Sequence, residues 1–277
     1  MKMDFIQSGK NLILKNIEPF SLAETLDCGQ AFRWRCDENG VWSAIINGRL
    51  CRLSQNGSDI TFYDCDEALF ESCYRRYFDI DRDYAAIISA IAENEILSQA
   101  SAVAGGIRIL RQDPWETVCS FIISQNNNIP RIKGIIDRLC ENFGEAVPGG
   151  FSFPSCEKIA SLSIEDLAVI RSGFRAKYIL DAARKFASGE ISVEKIETMP
   201  TDEARAELMK IYGVGEKVAD CVLLFAFSRI DAFPKDVWIK RAMQVLFSGE
   251  LPECAKQYAG IVQQYIFHFA RTTGLQI

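Results

Sequence analysis

The sequence has a single histidine, His268, and no C-x-x-C pair among its ten cysteines. Zinc sites draw on closely spaced Cys and His ligands, so no metal centre of that kind is expected. A late group of four clustered cysteines, the usual anchor of an iron–sulfur cofactor, is missing as well. Neither metal nor cofactor enters the expected chemistry. The cysteines, at positions 28, 36, 51, 65, 73, 119, 140, 156, 221 and 254, read as scattered reduced thiols. There is no excess of positive charge. A formal charge of -6 argues against coating nucleic acid through bulk potential, and any such binding must be local, through helix N-termini and a few placed arginines. Long apolar runs are lacking too. The start, MKMDFIQSGKNLILKN, carries an early acid and no continuous apolar core, so neither a signal peptide nor a membrane span is expected. An intracellular location, cytoplasmic or with the nucleoid or nucleus, follows as an expectation.

What is present suffices for two packed units: 277 residues, 48% of them apolar. From Asn11 to about Cys65, short apolar or aromatic runs alternate with Asn-Gly turns, which predicts an antiparallel meander. From Asp66 the spacing of apolar residues shifts to three and four, in EALFESCYRRYF and DYAAIISAIAENEILSQA, as amphipathic helices require. Helices predominate thereafter. Asp113 precedes a proline at the first position of a helix through TVCSFIISQ, and Pro130 restarts the chain into RIKGIIDRLCENF. Asp202 is expected to cap DEARAELMKIY. The chain thus reads as α+β, an antiparallel sheet unit followed by a mainly helical one.

The chemistry concentrates in LMKIYGVGEKVADCVLLFAF, read as helix, two-glycine turn and helix. Such a turn exposes amides that, with the positive end of the second helix, suit a phosphate; a plain helix stop and start is the other reading. Lys217 falls in the first turn of an otherwise apolar helix. Both the helix N-terminus and burial disfavour a positive charge there and favour a nucleophilic amine, although a lysine that snorkels to solvent also fits. Asp236, after a proline in AFPKDVWIKRA, stands at a natural N-cap, and capping alone accounts for it. A hairpin, a lysine at the next helix start and an aspartate just beyond that helix can together bring amine and carboxylate to one place. That pair suits attack on a sugar C1′, with the carboxylate stabilising an oxocarbenium-like centre.

These residues resemble the helix-hairpin-helix DNA glycosylases, and within them the 8-oxoguanine DNA glycosylase/AP lyase family. The likeness runs through GQAFRWR (29–35), GIRILRQDPWETVCSFIISQNNNIPRI (106–132), GFRAKY (173–178), GVGEKVADC (213–221), FPKDV (233–237) and YAGIVQQYIF (258–267). It implies a bifunctional enzyme that flips 8-oxoguanine out from opposite cytosine and excises it through a Lys217 Schiff base assisted by Asp236, with β-elimination to follow. It further implies a base pocket. The Gly29 carbonyl accepts the extra N7 hydrogen of 8-oxoguanine, Gln263 reads the Watson–Crick edge, Phe267 and Cys221 sandwich the base, and Phe32 and Phe225 complete the walls. Without the resemblance Phe267 reads as core and Gln263 as a polar helix face.

Opposite the lesion, the resemblance places Asn126, Arg131 and Arg175 around the unpaired cytosine, with Phe174 as a wedge. Unaided, both arginines read as exposed charges and Asn126 as a helix C-terminal residue. Gly213, Val214, Gly215 and Trp238 are assigned to the DNA backbone. Three residues depart from the family's pattern: Phe174 stands for tyrosine, Phe225 for methionine, and Trp238 for the histidine of animal enzymes, so no proton role is expected at 238. The expected organisation is an antiparallel sheet plus helices over 1–105 and a helical helix-hairpin-helix domain over 106–277. Its C-terminal helix, about 255–271, completes the pocket. The expected partner is double-stranded DNA bearing oxidised guanine, bound by a monomer. An alkyl-base glycosylase relying on the aspartate alone, a thymine-glycol or adenine-mismatch glycosylase, and a non-catalytic damage binder are the alternatives.

Overall fold

Alternation of buried and exposed residues builds the N-terminal sheet. The computed structural model describes residues 4–274. Six strands, β1 (Phe5–Ser8), β2 (Asn11–Leu14), β3 (Arg35–Cys36), β4 (Trp42–Ile46), β5 (Arg49–Asn56) and β6 (Asp59–Tyr63), form one antiparallel sheet in the order β1-β2-β6-β5-β4-β3. Leu12, Leu53 and Phe62 meet across three strands and are at most 1% exposed, because the pleat sends alternate side chains to one face. The expected meander holds for β3 to β6. The chain before it departs from expectation: β1 adds a strand upstream of Asn11, a helix (Leu22–Leu26) interrupts the run, and of AFRWR only Arg35 is in a strand.

EALFESCYRRYF is helical but not one regular α-helix. Glu67–Leu69 and Arg75–Tyr77 flank a π-helical turn, Phe70–Tyr74, that turns Phe70 and Tyr74 onto Phe62 at ring distances of 5.4 and 5.5 Å. DYAAIISAIAENEILSQA divides into Tyr84–Ile91 and Glu95–Ala104, because the Asn94 side chain caps a second helix. Both bury their apolar faces in the helical core, through Ile87, Ile91, Leu97 and Ala104. Asp113 caps the helix Pro114–Ser124 as expected, accepting from the Glu116 amide at 2.8 Å. Asp202 does not cap: Pro200 precedes the helix Thr201–Leu208, and Asp202 lies within its first turn, paired with Arg205.

Two hydrophobic cores, one under the sheet and one among the helices, meet along a seam of buried polar groups. Arg108, 4% exposed, lays its guanidinium over Phe20 and Tyr84 and donates to the Asp79 carbonyl at 3.0 Å. Arg33 joins the Ile45 carbonyl of β4 to Glu116. Burial pushes the Glu116 carboxyl from 4.5 up to about 7, with Arg33 opposing, although a fifth of the side chain (21%) meets solvent. A carboxyl whose folded value exceeds its unfolded one holds more protons in the native state between those values, so stability falls as pH rises through them. Melting curves from pH 5 to pH 8 are expected to show Glu116→Gln gaining on the parent by roughly 1–3 kcal/mol. A parent that instead gains on the variant would contradict that burial.

Candidate active site

Where the turn after the helix Leu22–Leu26 packs against the helical core, a cavity of about 140 Å³ opens to the surface. Lys217, Asp236, Gly29, Phe32, Cys221, Phe225, Gln263 and Phe267 all line it, although they span some 240 positions of sequence.

The sheet unit contributes the turn after the helix Leu22–Leu26. Fully buried Gln30 fixes that turn: its side-chain amide donates to the carbonyls of Thr25 and Arg108 at 2.9 and 2.8 Å, and its oxygen accepts from the Leu110 amide at 2.9 Å. Gly29 is thereby held at φ +90°, a conformation that side chains resist, beside Ile129. Phe32 meets Phe121 edge to face at 5.8 Å, and Phe121 stacks on Phe225 at 5.4 Å with the planes 13° apart. This aromatic floor carries the lysine, whose Nζ lies 5.3 Å from the Phe121 ring centroid.

Lys217 rides on the helix Glu216–Phe225, whose buried Asp220 is anchored by Arg205 at 2.6 Å. The turn before it partly revises expectation. Gly213 has φ +80°, whereas Gly215 is extended at φ -104°, ψ -179° and needs no glycine-only conformation. The Val214 amide is spent on the Ile211 carbonyl at 3.0 Å and its side chain is buried. Among the described residues, no hydrogen bond uses the amides of Gly213 or Gly215, which leaves them for an outside acceptor at the helix N-terminus.

Asp236 does cap its helix, Val237–Phe247: Oδ1 accepts from the Ile239 amide at 2.7 Å. Its half-buried carboxylate also borders the cavity. Among the described residues the Lys217 amine is in no ion pair with it, so the amine is not tied to the acid it shares the cavity with. Burial pushes the Cys221 thiol up to about 11 despite Lys217 nearby, and burial likewise pushes Cys28 up to about 12. Two uncharged thiols therefore flank the cavity. The helix Ala259–Thr272 closes the far wall. It packs tightly through Gly260, where an added Cβ would lie 2.4 Å from Leu224 and 2.8 Å from the Ala232 carbonyl, and it presents Gln263 and Phe267. Gln263 is buried and accepts from Gln264 at 2.6 Å.

Sequence reasoning missed Cys28, Phe121, Ser124, Ile129, Ile132, Pro234 and Gln264, which share the cavity. Phe121 had a signal: polar Ser124 sits one turn further along the same helix.

The remaining candidates gather outside the cavity. Asn126, exposed with φ 47°, and exposed Arg131 flank the loop between Pro114–Ser124 and the helix Ile129–Phe143. Phe174 is 49% exposed. Arg175 corrects the unaided reading of an exposed charge: it is 2% exposed, donating to the carbonyls of Gln125 (2.9 Å from Nε), Asn126 (3.0 Å) and Ser172 (3.1 Å). Burial, with Arg131 adding, lowers its pKa from the ordinary arginine value. Trp238, 50% exposed, sits in the first turn of the Asp236-capped helix.

This sheet-and-hairpin architecture defines a class. Residues 119–258 match the HhH-GPD superfamily of base excision DNA repair proteins, and residues 12–118 match the N-terminal domain of 8-oxoguanine DNA glycosylase. An N-glycosylase/DNA lyase of Saccharomyces cerevisiae is 32% identical over 255 residues, covering 82% of this chain and 68% of the yeast protein. A solved 8-oxoguanine glycosylase/lyase of Clostridium acetobutylicum, bound to double-stranded DNA with cytosine opposite 8-oxoG, superposes with a TM-score of 0.92 at 34% identity over 99% of this chain and 100% of that one. The protein MBOgg1, solved with a low-affinity DNA ligand, superposes at 0.93 with 38% identity, again over 99% and 100%. The chain belongs to the 8-oxoguanine DNA glycosylase family of helix-hairpin-helix enzymes. It is a DNA-binding repair enzyme with glycosylase and lyase activity. No helix among the described residues is long and apolar enough to cross a membrane.

Proposed function

We propose that this protein flips 8-oxoguanine out of double-stranded DNA from opposite cytosine, removes it through a Schiff base on Lys217, and nicks the strand by β-elimination. The observation that carries this reading is the convergence of Lys217 and Asp236 on one cavity walled by Gly29, Cys221, Gln263 and Phe267. The Lys217 amine bonds to C1′ as the glycosidic C–N bond breaks. The departing electron pair leaves on the base, which takes up a proton, while the nitrogen loses one. Asp236 opposes the positive charge that develops at the sugar. Ring opening gives the Schiff base, and loss of a C2′ proton expels the 3′ phosphate.

For recognition, the Gly29 carbonyl accepts the N7 hydrogen that guanine lacks, and Gln263 reads the pairing edge. Phe267 and Cys221 take the two base faces, over a floor of Phe32 and Phe225. Asn126, Arg131 and Arg175 receive the cytosine, Phe174 fills the gap, and Gly213, Val214, Gly215 and Trp238 hold the backbone. Val214 serves by shaping that turn rather than by donating to it, its amide being held by the Ile211 carbonyl and its side chain buried. One copy suffices per lesion, acting inside the cell.

Incubation with a duplex holding one 8-oxoguanine opposite cytosine, followed by borohydride, tests the reading. Free 8-oxoguanine and a covalent protein–DNA adduct are expected. Base release without an adduct would point to a monofunctional glycosylase, and tight binding without release to a damage binder. Guanine released as fast as 8-oxoguanine would remove the role given to Gly29.

A further inference from the structure

Beside the hairpin lies a row of aromatic rings, of which the roles above employ Phe174 alone. Phe174, Tyr178, Asp181 and Lys185 recur at three- and four-residue spacing along the turn Gly173–Arg175 and the helix Ala176–Ala187, and so share one face. On that face the hairpin rests directly on Tyr178. A Cβ added at Gly213 would lie 2.5 Å from two Tyr178 ring carbons, so the backbone rides on the ring at a distance only glycine permits. Tyr178 also meets Tyr212 at 4.9 Å and 87°, and Phe174 at 5.8 Å and 73°. Lys177 places its amine 5.3 Å from both tyrosine rings. Two polar ties reinforce the contact: the Tyr212 amide donates to Asp181 at 2.7 Å, and Lys185 donates to the Lys210 carbonyl.

We propose that Tyr178 is a positioning residue that fixes the spacing between the phosphate-facing hairpin and the Phe174 wedge. This inference rests on the functional reading above. One continuous line of contacts runs from the Asn126 loop through Arg175, whose guanidinium lies 4.4 Å from the Phe174 ring, to Tyr178, Gly213 and the helix of Lys217. A wedge opens a base pair only when it enters at a set offset from the clamped backbone. A half-buried ring touching both parts at once supplies that offset without itself contacting DNA. The contact uses the faces and edges of the ring, so phenylalanine retains it and leucine does not.

The test places 2-aminopurine beside 8-oxoguanine in a duplex, where its fluorescence rises on unstacking, and reads single-turnover excision on the same DNA. Tyr178→Leu at saturating concentration is expected to lose most of the fluorescence rise and to slow excision by roughly tenfold to a hundredfold. Tyr178→Phe restores both, which a role for the hydroxyl would not allow. Gly213→Ala pushes the hairpin off the ring from the other side and is expected to reproduce the loss, so it carries the test if Tyr178→Leu does not fold. Unchanged fluorescence and excision in Tyr178→Leu, or in Gly213→Ala where that variant stands in, overturn the proposal, as does failure of Tyr178→Phe to restore them. A parent protein that unstacks DNA but releases no 8-oxoguanine overturns the functional reading alone, because the fluorescence comparison still decides the role of Tyr178.

Discussion

Lys217→Gln is expected to abolish the borohydride-trapped adduct and to slow release of 8-oxoguanine by on the order of 10⁴-fold, since among the described residues no other group at the cavity supplies an amine nucleophile. Loss of fold is not the expected cause. The amine makes no ion pair among the described residues, and its contact with the Phe121 ring is worth about 0.5–1 kcal/mol. The variant should therefore melt close to the parent and keep binding the lesion duplex, as followed by fluorescence anisotropy. Adduct of undiminished yield in Lys217→Gln would move the nucleophile elsewhere.

Asp236→Asn separates the two tasks of that side chain. Asparagine caps a helix about as well as aspartate, so the bond to the Ile239 amide survives the change while the negative charge does not. Single-turnover excision is expected to fall by roughly 10²–10³-fold with duplex affinity largely retained. Asp236→Ala loses the cap too, at a further cost of about 1 kcal/mol in stability. Should Asp236→Asn turn over at the parental rate, or lose DNA binding instead, the carboxylate would be a cap and nothing more.

Local signals in the sequence were sound where the determining interaction is itself local. Asp113 and Asp236 bond amides three residues ahead, and a polar residue before a helix carries that information in its immediate neighbours. Asp202 met the same pattern, yet the helix starts at Thr201, two residues earlier than such a cap would start it, and the carboxylate goes to Arg205. Burial of Arg175 was illegible because its acceptors are the carbonyls of Gln125 and Asn126, some fifty positions away. Phe121 and Phe225 stack across a wider gap of about a hundred, so periodicity reports each as core without revealing that they floor a cavity. Gly29, Gln263 and Phe267 came from resemblance alone. Their presence on one cavity depends on how the sheet unit docks on the helices, a relation that no single segment encodes.

The cavity wall borrows from a turn near residue 29 and from a helix that ends near residue 272, with the Lys217 amine between them. During synthesis on the ribosome, the nascent polypeptide therefore carries Lys217 well before the last wall of the cavity has emerged. A protease that clipped away either margin would leave a fragment still holding that amine, without the walls to which the proposed function assigns the choice between damaged guanine and sound.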